Sequence, residues 1–316
     1  MSAWQRYWFS PAPCLDLAVV RIVACALQLF VVLVFQGQYE AVLEHAALDD
    51  RYFEPLLIFN AFHLPFGWGF RPDAAILQAV FFLSIAAGVL SLIGLLTNVS
   101  LVVFAAASVY LQAFLYSFGD FHHPEAIMMV ALLALALSPA GKVLSVDAWL
   151  RRRSQPRDVP IYEVRSEFAG WPIKLLQWFF VLMYISAVWS KLSASGLDWA
   201  NGYTLQFYLA QDGLRWGSSL GLWLSQFHTF ILLSQVGVLL FQATFSLAVI
   251  FPKLRWIYVP AGLALHIGIF LTLRAPFFTW IALYAVFIPW AEVARRMHGY
   301  LKASDQTNLA SARGRS

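Results

Sequence analysis

Four residues have the types and spacing for shared acid–base chemistry: His122, His123 and Glu125 in "FGDFHHPEAIMM", and Lys191 in "AVWSKLSASGLDWANG". All four lie at the edge of long apolar runs, and no acidic residue stands within a helical turn of Lys191. A lysine packed under aromatic and aliphatic groups is poorly solvated as an ammonium, which makes the neutral amine available as a base. A histidine at the same depth can donate to a developing oxyanion or orient a hydroxyl. The alternative for Lys191 is an interfacial anchor that only snorkels toward water.

The remaining polar residues in apolar surroundings are few. Asp120 and Asp198 stand at run ends, Arg21 lies inside the first run and His266 lies in the middle of "GLALHIGIF". Arg21 is about six residues in, roughly 9 Å along a helix. It is read as a structural charge that snorkels to the headgroups or makes an ion pair that fixes helix packing. His266 is expected to be neutral and hydrogen-bonded to a neighbouring helix. His122, His123 and Glu125 have no helical H-x-x-x-H pair or cysteine partner, so no metal site is read from them. Cys14 and Cys25 are structural, and "GSSLG" lacks the strand–turn–helix setting of a nucleophile elbow.

These residues must be positioned by membrane helices. The chain has 316 residues, 60% hydrophobic and only 12% charged, against roughly a quarter charged in soluble domains. Its apolar residues come in runs long enough for helical spans, not in the alternation of a barrel. The expected fold is an all-α, polytopic helical membrane protein with about eight transmembrane helices, flanked by interfacial helices on the outer face. The runs are Leu15–Phe35, Ala74–Leu96, Ser100–Phe118, Pro124–Gly141, Ile173–Leu192, Thr229–Phe251, Leu254–Leu273 and Phe277–Ala294. With a cytoplasmic N-terminus, fifteen Lys and Arg fall in inner loops and four, Arg51, Arg71, Arg215 and Arg274, in outer ones. That bias puts both termini in the cytoplasm and His123 and Lys191 near the outer face. Antiparallel packing of consecutive spans then brings His122, His123, Glu125 and Lys191 to one depth.

The net charge of +4 is spread between spans, so it marks a membrane surface and not a nucleic-acid partner. The polybasic "RRRSQPR" is expected to lie against anionic headgroups, and the sequon at Asn98 falls in a cytoplasmic turn. Residues 1–14 read as an interfacial lead-in, 15–294 as one transmembrane domain, and 295–316 as a cytoplasmic, disordered tail. Two outer segments, Gln36–Pro72 and Ser193–Phe227, mix aromatic and polar residues as short interfacial helices do.

The run "YISAVWSKLSASGLDWANGYTLQFYL" resembles a segment of the vitamin K-dependent γ-carboxylases and their bacterial relatives, the HTTM-domain proteins. In that family a tyrosine-bearing span ends in a lysine, followed by an Asp-Trp pair and a glycine. Tyr184, Lys191, Asp198, Trp199 and Gly202 fit that order. "LAVVRI", "RYFEPLLIFNAFHLPF" and "HHPEAIMMVALLALALSP" are similar to the family in the same sequence, so the resemblance covers about Phe9–Trp290. It implies a catalytic pair, Lys191 as base toward a reduced naphthoquinone and His123 as hydrogen-bond partner of the quinone oxygen. His122, Glu125, Asp198, Trp199, His266 and Tyr184 are the further candidates for the quinone or substrate site.

The carboxylases carry two adjacent lysines where this chain has Ser190 and Lys191. The resemblance also does not extend to their large lumenal domain, so the expected acceptor is a small exported peptide or a lipid. The expectation is an enzyme of a bacterial cytoplasmic membrane that binds a menaquinol-type quinone and couples its epoxidation to carboxylation or another strong-base step. The competing readings are a non-enzymatic maturation or immunity partner of an exported peptide, and a small-molecule transporter. The transporter reading requires an inverted repeat, which the sequence does not display.

Overall fold

A computed structural model describes residues 2–32, 37–64, 67–119, 125–154 and 159–300. The helices are α1 Ala3–Phe9, α2 Cys14–Phe30, α3 Gln38–Ala46, α4 Leu57–Phe62, α5 Ala74–Ile93, α6 Thr97–Tyr116, α7 Ala126–Ala136, α8 Val146–Ser154 and α9 Gly170–Ser195. They continue with α10 Tyr203–Trp216, α11 Ser219–Leu224, α12 His228–Thr244, α13 Ser246–Ile250, α14 Arg255–Leu273 and α15 Phe278–Leu283. A last helix, α16, spans 290–300. Among the described residues the strands are two-residue pieces, with Ala12 opposite Ser166 and Pro13 opposite Arg165. The protein is a polytopic helical membrane protein.

The span count differs from the sequence reading. Among the described residues four helical stretches are long and apolar enough to cross a membrane: Ala74–Ile93, Thr97–Tyr116, Gly170–Ala200 and Pro252–Leu273. The other four runs, read as spans from their hydropathy, are shorter as helices. Pro139 disfavours helix at Ser138, and α7 stops at Ala136. Pro289 interrupts the last run, which divides into α15, a 3₁₀ turn at Tyr284–Phe287 and α16. The run from Thr229 breaks after Thr244, whose hydroxyl donates back to Leu240 O at 2.6 Å, a bond that competes with the helix ladder. The helix of the first run is α2, and 33–36 lie outside the described residues.

The described residues divide into two compact units. The first draws on Met1–Phe121, Ala131–Ile173 and Ile288–Ser316. Its main pairings are α5 with α6 and α2 with α5. Gly88 makes the close approach possible, since a Cβ there would meet Leu29 Cδ2 at 2.7 Å and Phe104 Cε2 at 2.9 Å. A cluster including Phe59, Leu77, Phe81, Leu111 and Phe114 forms a core against α3 and α4. His63 is buried there, between Phe59 O at 3.2 Å and Tyr110 Oη at 3.0 Å. α3 is capped by Arg71, which donates to the carbonyls of His45, Ala46 and Leu48.

Asp147 fastens the start of α6. It accepts from Leu96 N, Thr97 N and Thr97 Oγ1 at 2.9, 2.7 and 2.6 Å. Burial works to raise its carboxyl, but the Thr97 and Leu96 hydrogen bonds outweigh it and hold the group below the ordinary carboxylate value. Asn98 donates to Ala136 O and Ser138 O, so its amide serves packing. Arg21 is fully buried and turned inward, donating to Leu144 O and lying against Gly94, where a Cβ would meet Nη1. It has no carboxylate within ion-pair distance among the described residues, so a backbone carbonyl, and not an ion pair or the headgroups, holds it.

The second unit draws on His122–Val130 and Lys174–Phe287. Here α10 packs on α11, α12 and α14, and α11 on α14. The "GSSLG" glycine Gly221 is a packing residue, because a Cβ would meet Thr272 O at 2.3 Å. Ser218 caps α11 by accepting from Gly221 N at 3.1 Å, and donates to Leu271 O at 2.8 Å.

Candidate functional site

Lys191 lies near the end of α9, a helix of 26 residues that spans about 39 Å at the α-helical rise. Its amine folds back one turn and donates to Ala187 O at 3.1 Å and to Gln242 Oε1 at 3.3 Å. The Trp199 ring centroid stands 5.3 Å from Nζ. The side chain is half-buried, and among the described residues no carboxylate is within ion-pair distance. The neighbours of the amine are therefore a carbonyl, an amide and an aromatic ring, all uncharged.

The chemistry of that setting follows from counting protons. An ammonium has three donors and no acceptor, whereas a neutral amine has two N–H bonds and one lone pair. For Lys191, Ala187 O and Gln242 Oε1 accept two of its N–H bonds, and the Trp199 ring is its third neighbour.

The segment after Lys191 is held as a cover by α12. Gln235, fully buried, donates to Trp199 O and accepts from Gly202 N at 2.8 Å. Gly202 adopts φ +88, and a Cβ there would meet His228 Cε1 at 2.9 Å, so glycine is required on both counts. Asp198 is exposed in the 3₁₀ turn Gly196–Ala200, and its carbonyl accepts from Asn201 N. Gln235 and Gln242 are seven residues apart, on one face of α12. The sequence reading missed both because it searched apolar runs for charges. Two amides inside an apolar run were the available signal.

Tyr184 and Lys191 are likewise seven residues apart, on one face of α9. Tyr184 Oη is 2.6 Å from Tyr284 Oη and 2.9 Å from His266 Nε2. All three residues are buried, among Phe180, Phe241, Phe245 and Trp280. His266 is thus hydrogen-bonded to another helix, as its place mid-run predicts. Tyr284 was missed because a tyrosine in an aromatic run carries no distinguishing spacing. Its hydroxyl occupies the space over Gly262, where a Cβ would come within 1.8 Å of Oη.

Glu125 is buried at the start of α7. His122, His123 and Asp120 lie outside the described residues. Among the described residues no group of three or more His, Cys, Asp or Glu is arranged to hold a metal ion. Cys14 and Cys25 are free, buried thiols.

The family model described as "HTTM domain" matches residues 9–291. The chain belongs to the HTTM-domain family. The match contains Lys191, its Gln242 and Trp199 neighbours, and the Tyr184–His266–Tyr284 chain. No curated protein and no solved structure matches this HTTM chain.

Proposed function

We propose that this HTTM protein binds a reduced naphthoquinone of the menaquinol type and uses Lys191 as the base that deprotonates it, in a reaction coupled to carboxylation or another strong-base step on a small exported peptide or lipid. The single observation that carries the reading is the uncharged surround of the Lys191 amine, two neutral acceptors and the Trp199 ring. A quinol hydroxyl is a weak acid on a flat apolar body. The residues present fit such a group: the Lys191 amine in uncharged surroundings for its proton and the Trp199 ring for its face. When bound and deprotonated, the quinol supplies the strong base through its reaction with dioxygen.

The chain's own contribution is narrower. Lys191 would take a proton at Nζ, and the resulting ammonium would keep its bonds to Ala187 O and Gln242 Oε1. Gln235 fixes the 3₁₀ turn that carries Trp199, whose ring stands 5.3 Å from the amine. By the family resemblance, His123 is the residue that donates to the quinone oxygen, and His122, Glu125 and Asp198 are further candidates for substrate contact. We place the protein in a bacterial inner membrane with both termini cytoplasmic, on the fifteen-to-four charge bias.

The test is Lys191→Ala in purified protein supplied with hydroquinone under air. Epoxide formation is expected to vanish while the helical content and the unfolding midpoint stay unchanged. Unchanged turnover overturns the reading. One observation favours a second reading, a partner of an exported peptide: Tyr203, Phe207, Trp216 and Trp223 of α10 and α11 are all exposed. Under that reading Lys191→Gln is tolerated and Trp216→Ala loses peptide capture.

A further inference from the structure

The short helix α8 is fastened to the turn between two membrane spans. α5 ends and α6 begins across Gly94–Leu96, and both helices are long and apolar enough to cross a membrane. Asp147, in the first turn of α8, accepts from Leu96 N, Thr97 N and Thr97 Oγ1, and its own N–H donates to Gly94 O at 3.0 Å. Ser145 caps α8 by accepting from Ala148 N at 2.9 Å. The start of α8 therefore lies at the depth where the two spans end, which is the boundary between lipid and water. The fifteen-to-four charge bias assigns that boundary to the inner leaflet.

At this boundary α8 turns two kinds of side chain outward. Trp149 is 51% exposed and Leu150 48%, and a tryptophan suits the headgroup level. The Arg153 guanidinium, one helical turn on, lies 3.7 Å from the centroid of the Trp149 ring. The neighbouring cations have different tasks. Arg151 donates to Gly141 O at 2.6 Å, Lys142 to Ser166 Oγ at 3.0 Å and Arg165 to Pro11 O at 2.9 Å, so all three serve the fold. Arg152 and Arg153 are exposed and have no hydrogen bond or ion pair among the described residues. The acid of α8, Asp147, is committed to the start of α6. The sequence places the whole "RRRSQPR" run against headgroups, whereas the structure divides its cations into one spent on the backbone and two available. A soluble anion needs no apolar neighbours. Exposed Trp149 and Leu150 beside the two cations fit an amphiphile, whose apolar body continues from its phosphate.

We infer that α8 seats the phosphate of an anionic phospholipid of the inner leaflet, with Arg152 and Arg153 as its cations and Trp149 and Leu150 set among the lipid. The surface belongs to the first compact unit and Lys191 to the second, and the lipid seat uses no residue of the proposed quinol chemistry.

Native mass spectrometry of the full chain in detergent tests this by titration with phosphatidylglycerol and, separately, with phosphatidylcholine of the same acyl chains. The wild type should bind phosphatidylglycerol more tightly. Replacing one cation, Arg152→Gln or Arg153→Gln, should weaken that binding about fivefold, and replacing both about thirtyfold. Phosphatidylcholine binding should not change, which also reports that the variants fold. Arg295→Gln with Arg296→Gln removes the same charge from α16, where both arginines pair with Glu292, and should leave phosphatidylglycerol binding as it is. Equal affinity of the wild type for the two lipids, or phosphatidylglycerol binding kept when both α8 arginines are replaced, overturns the inference. An equal loss in the two double variants would mean that net charge alone attracts the lipid, and overturns it too. Displacement of phosphatidylglycerol by an equimolar amount of inorganic phosphate would assign the cations to a soluble anion and overturns the lipid as occupant.

Discussion

Replacing Gly262 by alanine sets two physical effects against each other. Alanine is the better helix former by about 1 kcal/mol, so helix propensity alone predicts a more stable protein. Packing predicts the reverse. A Cβ on Gly262 would lie 1.8 Å from Tyr284 Oη, 2.4 Å from Cζ and 3.0 Å from Cε1, so the tyrosine ring must move by more than an atom's radius. Overpacking of this kind costs about 1–3 kcal/mol, and moving the hydroxyl also gives up its bond to Tyr184, worth about 1 kcal/mol. The expected net loss for Gly262→Ala is therefore about 1–3 kcal/mol. Gly268, on the same helix, is the control, because nothing lies within 4 Å of its Cβ position. Unfolding by titration with sodium dodecyl sulfate, followed by circular dichroism, measures both. Gly262→Ala should unfold earlier and Gly268→Ala should not. Removing the hydroxyl with Tyr284→Phe in the Gly262→Ala background should recover part of the loss, since the shortest contact is gone. A Gly262→Ala protein as stable as the wild type, or more so, would refute the placement of Tyr284 over α14, and with it the relay to His266.

Two further predictions concern other parts of the molecule. Asp147 has a folded-state carboxyl held below its ordinary value, chiefly by the Thr97 and Leu96 hydrogen bonds acting against burial. Its contribution is therefore fully present above the unfolded-state value and is lost as pH falls through the lowered folded one. The unfolding midpoint of the wild type should fall on acidification, and Asp147→Asn should be less stable near neutrality with a smaller dependence on acid pH. Gln242→Leu removes one of the two acceptors of the Lys191 amine. The rate of hydroquinone consumption should drop about three- to tenfold with quinone retention unchanged, as measured by single-turnover kinetics and extraction of bound quinone.

Much of the membrane fold was legible in the sequence because hydropathy reports where lipid lies. α5, α6, α9 and α14 follow four of the apolar runs, and the short helices α3, α4, α10 and α11 fall in the two aromatic segments read as interfacial. Hydropathy does not report continuity. The runs ending near Gly141, Phe251 and Ala294 stay apolar through Pro139, Thr244 and Pro289, and the helix breaks there for backbone reasons that an apolar count passes over. The same holds for the site. Lys191 was visible as a charge in the wrong solvent, and Trp199 and Gly202 as its neighbours in sequence. Gln242, Gln235 and Tyr284 lie tens of residues further along the chain, uncharged and unremarked there, and only packing brings Gln242 and Tyr284 to α9 and Gln235 to the segment that follows it. Arg21 illustrates a third limit: position in a run fixes depth, but not whether the guanidinium turns outward or, as here, inward to Leu144 O.

Lys191 is proposed to remove a proton from a bound quinol. The most direct measurement supplies hydroquinone to the purified protein in lipid under air and compares epoxide formed by the wild type and by Lys191→Ala, with quinone retention measured in both. Epoxide is expected from the wild type and none from Lys191→Ala, with quinone retained in each. Equal epoxide from the two proteins, or none from a wild type that retains the quinone, would contradict it.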